Sequence, residues 1–214
     1  MFSLAALALT GAAWSMEVTT TPSADDSRIL TTTASEPFLS TTLGYQRGFA
    51  LGDRALGLSA TVTAPVFLLD GRHHRLAIAG RTTALQRRSL RLDTRLGLYE
   101  QSTDSALVRG TALGTRASAI GGWFGERAFA AAEASLAWSP AARLAPTAQY
   151  DALWGAMESG WYADAAGSVT LAVQGGAVIK DRVELTGRAG VDRTLGGGGR
   201  IAPLYLGLGV NVWL

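Results

Sequence analysis

From Ser40 to the C-terminus, apolar and polar positions alternate with a period of two, the pattern of extended strands whose two faces meet different surroundings. The final segment, PLYLGLGVNVWL, shows it best. Leu204, Leu206, Leu208, Val210, Val212 and Leu214 fall on one face, against Tyr205, Gly207, Gly209, Asn211 and Trp213 on the other. In LGLSATVTAPVFLL the even positions from Leu56 to Leu68 are apolar, and the intervening Gly57, Ser59, Thr61 and Thr63 are small. LRLDTRLGLY sets Leu90, Leu92, Leu96 and Leu98 against Arg91, Asp93, Arg95 and Tyr99. VELTGRAGVD sets Val183, Leu185, Ala189 and Val191 against Glu184, Thr186, Arg188 and Asp192.

Less regular runs cover Ser40 to Leu51, Leu76 to Gln86, Leu107 to Ile120, Ala128 to Trp138 and Val169 to Ile179, which brings the candidate strands to nine. The regular runs approach the roughly 9 to 11 residues that a tilted strand needs to cross a bilayer, and exceed the five or six of an ordinary globular strand. The links alternate too. GDR (52–54), the bend at 87–89, GER (125–127) and KDR (180–182) are tight, whereas DGRHH, QSTDS, residues 139–165 and LGGGGRIA are longer.

One segment follows a helical period instead. In PTAQYDALWGAMESGWY, Tyr150, Leu153, Trp154 and Met157 recur at i, i+3, i+4 and i+7, with Thr147 as N-cap and Gly160 as the expected stop. The spacing predicts a short amphipathic helix in the longest link. Tyr150, Trp154, Trp161 and Tyr162 are then expected at a membrane interface or over the mouth of a barrel. The bland alternative is that they pack the loop against the rim.

Composition narrows the class. Of 214 residues 48% are hydrophobic and 17% charged, yet after the first fifteen no stretch approaches the roughly 18 uncharged apolar residues of a membrane-spanning helix. With 26 Gly, 6 Pro and no Cys, the chain favours close-packed strands over a disulfide-stapled module. A net charge of +2, with its arginines dispersed, gives no basic cluster for nucleic acid. The apolar run Leu4 to Ala13, followed by small residues, predicts a signal peptide over residues 1–15 and a single domain over 16–214. No Lys or Arg precedes that run, which places the expected translation start upstream, and a buried N-terminal helix is the competing reading.

The C-terminus carries a family resemblance. Gly209, Val212 and Leu214 match the glycine, two spacers, apolar, spacer, apolar assembly signal of bacterial outer-membrane β-barrels. The chain departs from the usual form in ending on Leu214 rather than an aromatic residue, with Trp213 before it, and in carrying Gly207 where a polar residue is common. GWY (160–162), between the helix and the next strand, is similar to uncharacterised barrel proteins of Gram-negative bacteria. The resemblance implies recognition by the barrel assembly machinery and residence among outer-membrane lipid and lipopolysaccharide. The alternating link lengths fit the short periplasmic turns and longer external loops of such barrels. Bacterial barrels have even strand numbers, so a tenth strand is sought at SRILTTTAS (27–35), with eight as the alternative count.

If the apolar faces meet lipid, Arg91, Asp93, Arg95, Glu133, Glu184, Arg188 and Asp192 point into the lumen. They would line a charge-selective pore or, as their mixed signs favour, form a salt-bridged plug, since barrels of eight to ten strands are narrow enough for side chains to fill. His73 and His74 are the only histidines. A lipid-modifying enzyme could use one to activate a serine, and a pair could hold a metal loosely, but vicinal strand residues point apart, and solvated loop histidines are the expected reading. LGGGGR (195–200) lacks the Gly-Lys-Ser/Thr ending of a phosphate loop and reads as a flexible link.

The expectation is an all-β, antiparallel up-and-down transmembrane β-barrel of eight to ten strands, ten favoured, with one short helix in a long loop. No catalytic residue, metal or cofactor is assigned. The function expected is a non-catalytic outer-membrane role, structural or in surface interaction, with passive passage of small solutes. A narrow channel, a lipid-modifying enzyme and a soluble lipocalin-like binder of apolar ligands are the alternatives.

Overall fold

A computed structural model describes residues 23–36, 38–52, 54–66, 72–105, 107–155, 158–163, 166–180, 182–195 and 204–214. The expected signal segment and the LGGGGR link, apart from Leu195, lie outside the described residues. The strands are β1 (Ser27–Glu36), β2 (Phe38–Leu51), β3 (Arg54–Pro65), β4 (His74–Arg87), β5 (Leu90–Asp104), β6 (Val108–Phe124) and β7 (Ala128–Pro146). After a helix, α1 (Ala148–Trp154), come β8 (Gly160–Tyr162), β9 (Ala166–Lys180), β10 (Val183–Leu195) and β11 (Leu204–Trp213).

Ten of these strands close into an antiparallel barrel, each beside its sequence neighbour, with β8 outside the ring on the upper part of β7. Closure is made by the SRILTTTAS segment. β1 pairs with β2 along one edge and with β11 along the other, Arg28 opposite Trp213 and Ser35 opposite Leu206. Every barrel strand therefore has two partners, which satisfies the backbone polar groups as a lipid environment requires.

The two ends differ. The links from β2 to β3, β4 to β5, β6 to β7 and β9 to β10 are two or three residues long and mark a tight-turn end, where β1 begins and β11 finishes. Gly52 and Arg88 adopt positive φ of 59° and 55° there. The other end carries the longer links, with two exceptions to the alternation of link lengths: only Pro37 separates β1 from β2, and β5 runs through most of the expected QSTDS link to Asp104, which leaves residues 105–107 before β6.

The alternation resolves into an apolar outside and a polar inside. Leu206 and Leu208 on β11 are exposed, Leu208 at 74%, while their neighbour Asn211 is fully buried. The same holds for Leu96 and Leu98 outside against Asp93 inside on β5. A soluble barrel would reverse this order. Aromatic side chains stand on the outer surface near both ends: Tyr45, Phe49 and Trp123 toward the tight turns, Trp138 and Trp161 toward the loops. Such belts are favoured where an amphipathic ring spans lipid and water.

Two elements run differently from the sequence pattern. β7 continues past Trp138 to Pro146, because an extra residue around Ser139 and Pro140 makes a bulge opposite Gly114. The bulge shifts the parity of the strand, so Ser135 faces inward below it and Ala142 and Leu144 face inward above it. The helix keeps Thr147 as N-cap, its hydroxyl accepting from the Tyr150 N–H at 3.4 Å, but it stops at Gly155 rather than Gly160. Gly155 takes φ 87°, a conformation open to glycine, and Gly160 instead begins β8.

Three inward-facing glycines sit opposite aromatic rings on the adjacent strand: Gly114 opposite Tyr99, Gly176 opposite Phe129 and Gly190 opposite Tyr205. A Cβ at any of them would come within 2.4 to 2.7 Å of ring atoms or the phenol oxygen. The missing side chains let the rings lie across the wall and fill the interior without widening it.

Candidate functional site: the charged lumen

The lumen gathers most of the buried charge. Arg28, Arg75, Arg81, Arg116 and Arg188 are buried there with Asp93, Glu133, Glu184 and Asp192, and Arg91 and Arg95 are half-buried. All seven residues singled out from the sequence, Arg91, Asp93, Arg95, Glu133, Glu184, Arg188 and Asp192, lie on inward positions of β5, β7 and β10. Arg28, Arg75, Arg81 and Arg116 were not singled out. The signal that could have found them is parity: Arg75, Ala77, Ala79 and Arg81 share the face opposite Leu76 and Ile78.

The charges form separate clusters, each built by strand register. Near the tight-turn end Asp93 accepts from Arg81 at 2.8 Å and from the Thr83 hydroxyl at 2.8 Å, and the Arg91 guanidinium lies 3.0 Å from it. Thr83 is the direct cross-strand partner of Asp93, so one carboxylate holds β4 and β5 together. Glu184 accepts from its partner Asn211 at 2.8 Å, and beside them Arg28 stacks at 4.5 Å over Trp213, the residue opposite it on the closure seam.

Farther along the barrel Glu133 meets Arg188 at 3.1 Å, and both side chains are 2% exposed. They come from β7 and β10, with Ala172 of β9 opposite Glu133 and Gly190 of β10 opposite Ala172. The small intervening side chains leave the path clear. Arg188 also lies 5.0 Å from the Tyr205 ring centre. A third cluster runs around the wall: Arg116 donates to Ser135 at 2.9 Å and to Thr170 at 3.2 Å, and Thr170 donates to Asp192 at 2.7 Å. Ser135, Thr170 and Asp192 are successive cross-strand partners.

Arg95 lies elsewhere. With Arg75, Arg116, Tyr99 and Ser118 it lines an internal cavity of about 40 Å³, room for about three waters. The paired charges reach across part of the interior, as side chains in narrow barrels can. Buried charges of this kind are stable only when paired and hydrogen-bonded.

At the loop end Val108, Ala112, Ala142 and Leu144 form a small apolar cluster, and Leu107, Tyr150 and Tyr162 pack against it. Tyr150 and Tyr162 therefore fold over the mouth rather than project into lipid. Trp161, opposite Arg143, is exposed on the outer side, and Trp154 ends α1. His74 begins β4 on the outward side, its Nε2 3.4 Å from Glu100, with Ser102 as cross-strand partner. Among the described residues no group of three His, Cys, Asp or Glu side chains could hold a metal ion.

Gly209, the first residue of the expected assembly signal, faces inward, where a Cβ would meet the Thr186 hydroxyl at 2.6 Å and the Thr31 carbonyl at 2.9 Å, while Val212 and Leu214 face outward.

No protein-family model matches the sequence, and no curated protein matches it. Solved structures do resemble the fold. An outer-membrane channel from Pseudomonas putida F1 superposes with a TM-score of 0.58 at 11% identity, covering 92% of this chain and 97% of that one. The outer-membrane phospholipase A of Escherichia coli gives a TM-score of 0.36 at 12% identity over 88% of this chain and 92% of that one. The chain thus has the fold of an outer-membrane β-barrel.

Proposed function

We propose that this protein is a non-catalytic integral barrel of the Gram-negative outer membrane whose lumen is held shut by its own charged side chains. The observation that carries this reading is the pairing inside: Asp93 with Arg81 and Arg91, Glu133 with Arg188, Glu184 with Asn211. Opposite charges that neutralise one another across a narrow interior make a plug. In this reading residues 1–15 direct export, the assembly machinery reads Gly209, Val212 and Leu214, and the tight turns lie in the periplasm with α1 and β8 outside. Lipid and lipopolysaccharide surround the outer face, and no cofactor takes part.

A second reading, a narrow charge-lined channel, is favoured by the arginines of the cavity wall, Arg75, Arg95 and Arg116. Planar-bilayer recording separates the two. The plug predicts a silent membrane or rare small steps from the wild type, and larger steps once Glu133 and Arg188 are both replaced by Ala. A steady, large conductance from the wild type would overturn it.

A further inference from the structure

The outer face of β1 carries hydroxyls where the strands beside it carry leucines. Its outward positions are Ser27, Ile29, Thr31, Thr33 and Ser35, and one of the five is apolar. Thr33 stands between Leu208, midway along β11, and Thr41 of β2, while Thr31 stands between Val210 and Leu43. Beyond Thr41 lies the small Ala64 of β3. The hydroxyls therefore sit at the level of the apolar belt, on a patch of short side chains. Exposed leucines rim it, Leu206 and Leu208 on one side and Leu39 and Leu43 on the other.

Hydrocarbon offers a hydroxyl neither a donor nor an acceptor. Within the chain the need is met in part, since Thr33 and Thr41 bond to each other at 3.3 Å and Ser27 bonds to Tyr45 at 3.0 Å. In the Thr33 and Thr41 pair one hydroxyl donates, and the hydrogen of the other is not spent in that bond. Among the described residues, the elements outside the ring, α1 and β8, stand by β7, away from β1. The patch is left to meet the membrane or a neighbour in it.

A second copy of the chain answers the chemistry. Each hydroxyl is donor and acceptor at once, so a hydroxyl patch is complementary to itself, and a two-fold contact lays one patch on its own copy. A two-fold axis along the membrane normal also keeps both barrels in the same orientation. Barrel strands tilt, so two facing β1 strands cross rather than run side by side, and the contact centres on a short stretch. The leucines of the rim then pack around the crossing, where hydroxyls bonded between copies act as the glue that polar side chains provide in membranes.

We propose that the outer face of β1 is the contact between two copies of this chain in the membrane, a two-fold dimer centred on Thr31, Thr33 and Thr41. The proposal rests on the reading that the outer face meets lipid, and flotation with vesicles checks that separately.

The test is energy transfer between donor- and acceptor-labelled barrels, carrying labels at R127C in an exposed turn, in phosphatidylcholine vesicles over a range of protein-to-lipid ratios. The barrel with native β1 is expected to reach the plateau of a two-copy assembly, reversed by dilution with lipid. T31V/T33V/T41V removes the hydroxyls, keeps the shape and is expected to weaken association about tenfold. T94V, a hydroxyl removed from the outward face of β5, is expected to leave it unchanged. Oxidation is expected to link T33C into a dimer and to leave L96C of β5 single. Heat-modifiable gel migration establishes that each variant is folded. Should the triple variant fail to fold, T33C against L96C carries the comparison. Barrels that float but show only the transfer of randomly placed monomers, undiminished association in the triple variant, or equal linking at positions 33 and 96 each overturn the proposal. So does linking of T33C in the native membrane to a different protein and not to a second copy. A chain that fails to float would overturn the dimer and the membrane reading together, whereas a dimer of freely conducting barrels would overturn the plug and leave the contact standing.

Discussion

Leu208→Arg is expected to cost about 2 to 4 kcal/mol of stability when the barrel is unfolded by denaturant from lipid vesicles, the cost of placing an arginine on the lipid face near the bilayer midplane. Leu208 is 74% exposed on the outward side of β11 and pairs with Thr33 and Gly187 midway along the strand. The magnitude decides between environments. On a water-facing surface the same change would stay within about 0.5 kcal/mol and improve solubility. The position makes no ion pair or buried hydrogen bond, so the loss reports the surroundings of the outer face and little else.

Arg188→Met is expected to be at least as damaging, because it leaves Glu133 charged and buried without its partner. Removing one member of a buried pair costs about 3 to 5 kcal/mol. Arg116, the other cation near Glu133, softens this, so the lower half of that range is expected. The double variant R188M/E133Q, which removes both charges, should recover much of the loss. Denaturant midpoints for the four proteins of this cycle give the coupling, expected at about 0.5 to 3 kcal/mol. Additive effects would mean that the two side chains do not meet.

The strands that were plain in the sequence are those with runs of large apolar outward positions, as in β11 and in the leucines from Leu90 to Leu98 of β5. β1 was legible only through the requirement for an even number, because of its outward residues Ile29, Thr31, Thr33 and Ser35 only one is apolar, while Leu30 and Ala34 face inward. Its place depends on two full ladders and on threonine, which fits a pleated surface, rather than on an apolar face. The upper part of β7 was hidden by the bulge at Ser139 and Pro140, since one extra residue exchanges the faces and looks like the end of a strand. β8 is three residues long and has no period to read.

The site divides in the same way. Period two puts Asp93, Glu133 and Arg188 on the inward side, and that much follows from their apolar neighbours. Which of them meet does not. Glu133 reaches Arg188 across an intervening strand, over Ala172 and Gly190, and Asp93 gathers Arg81 and Arg91 from two strands. Those meetings depend on register and stagger, which a linear pattern leaves open. The mouth aromatics Tyr150 and Tyr162 show the same limit: their spacing predicted a helix with an apolar side, and only the bulge in β7 supplied the inward Ala142 and Leu144 for them to cover.

In the barrel proposed here the apolar faces of the strands meet lipid and the charged faces enclose the lumen. The chain has no cysteine, so single nitroxide labels can be placed at will. Labels at L206C, L208C and V210C in the reconstituted protein, with an inward label at N211C for contrast, are to be read by collision with oxygen and with a water-soluble nickel complex. The first three are expected to collide readily with oxygen and poorly with nickel, and position 211 to be shielded from oxygen. Ready collision with nickel at 206, 208 and 210 would contradict that arrangement and place that face in water.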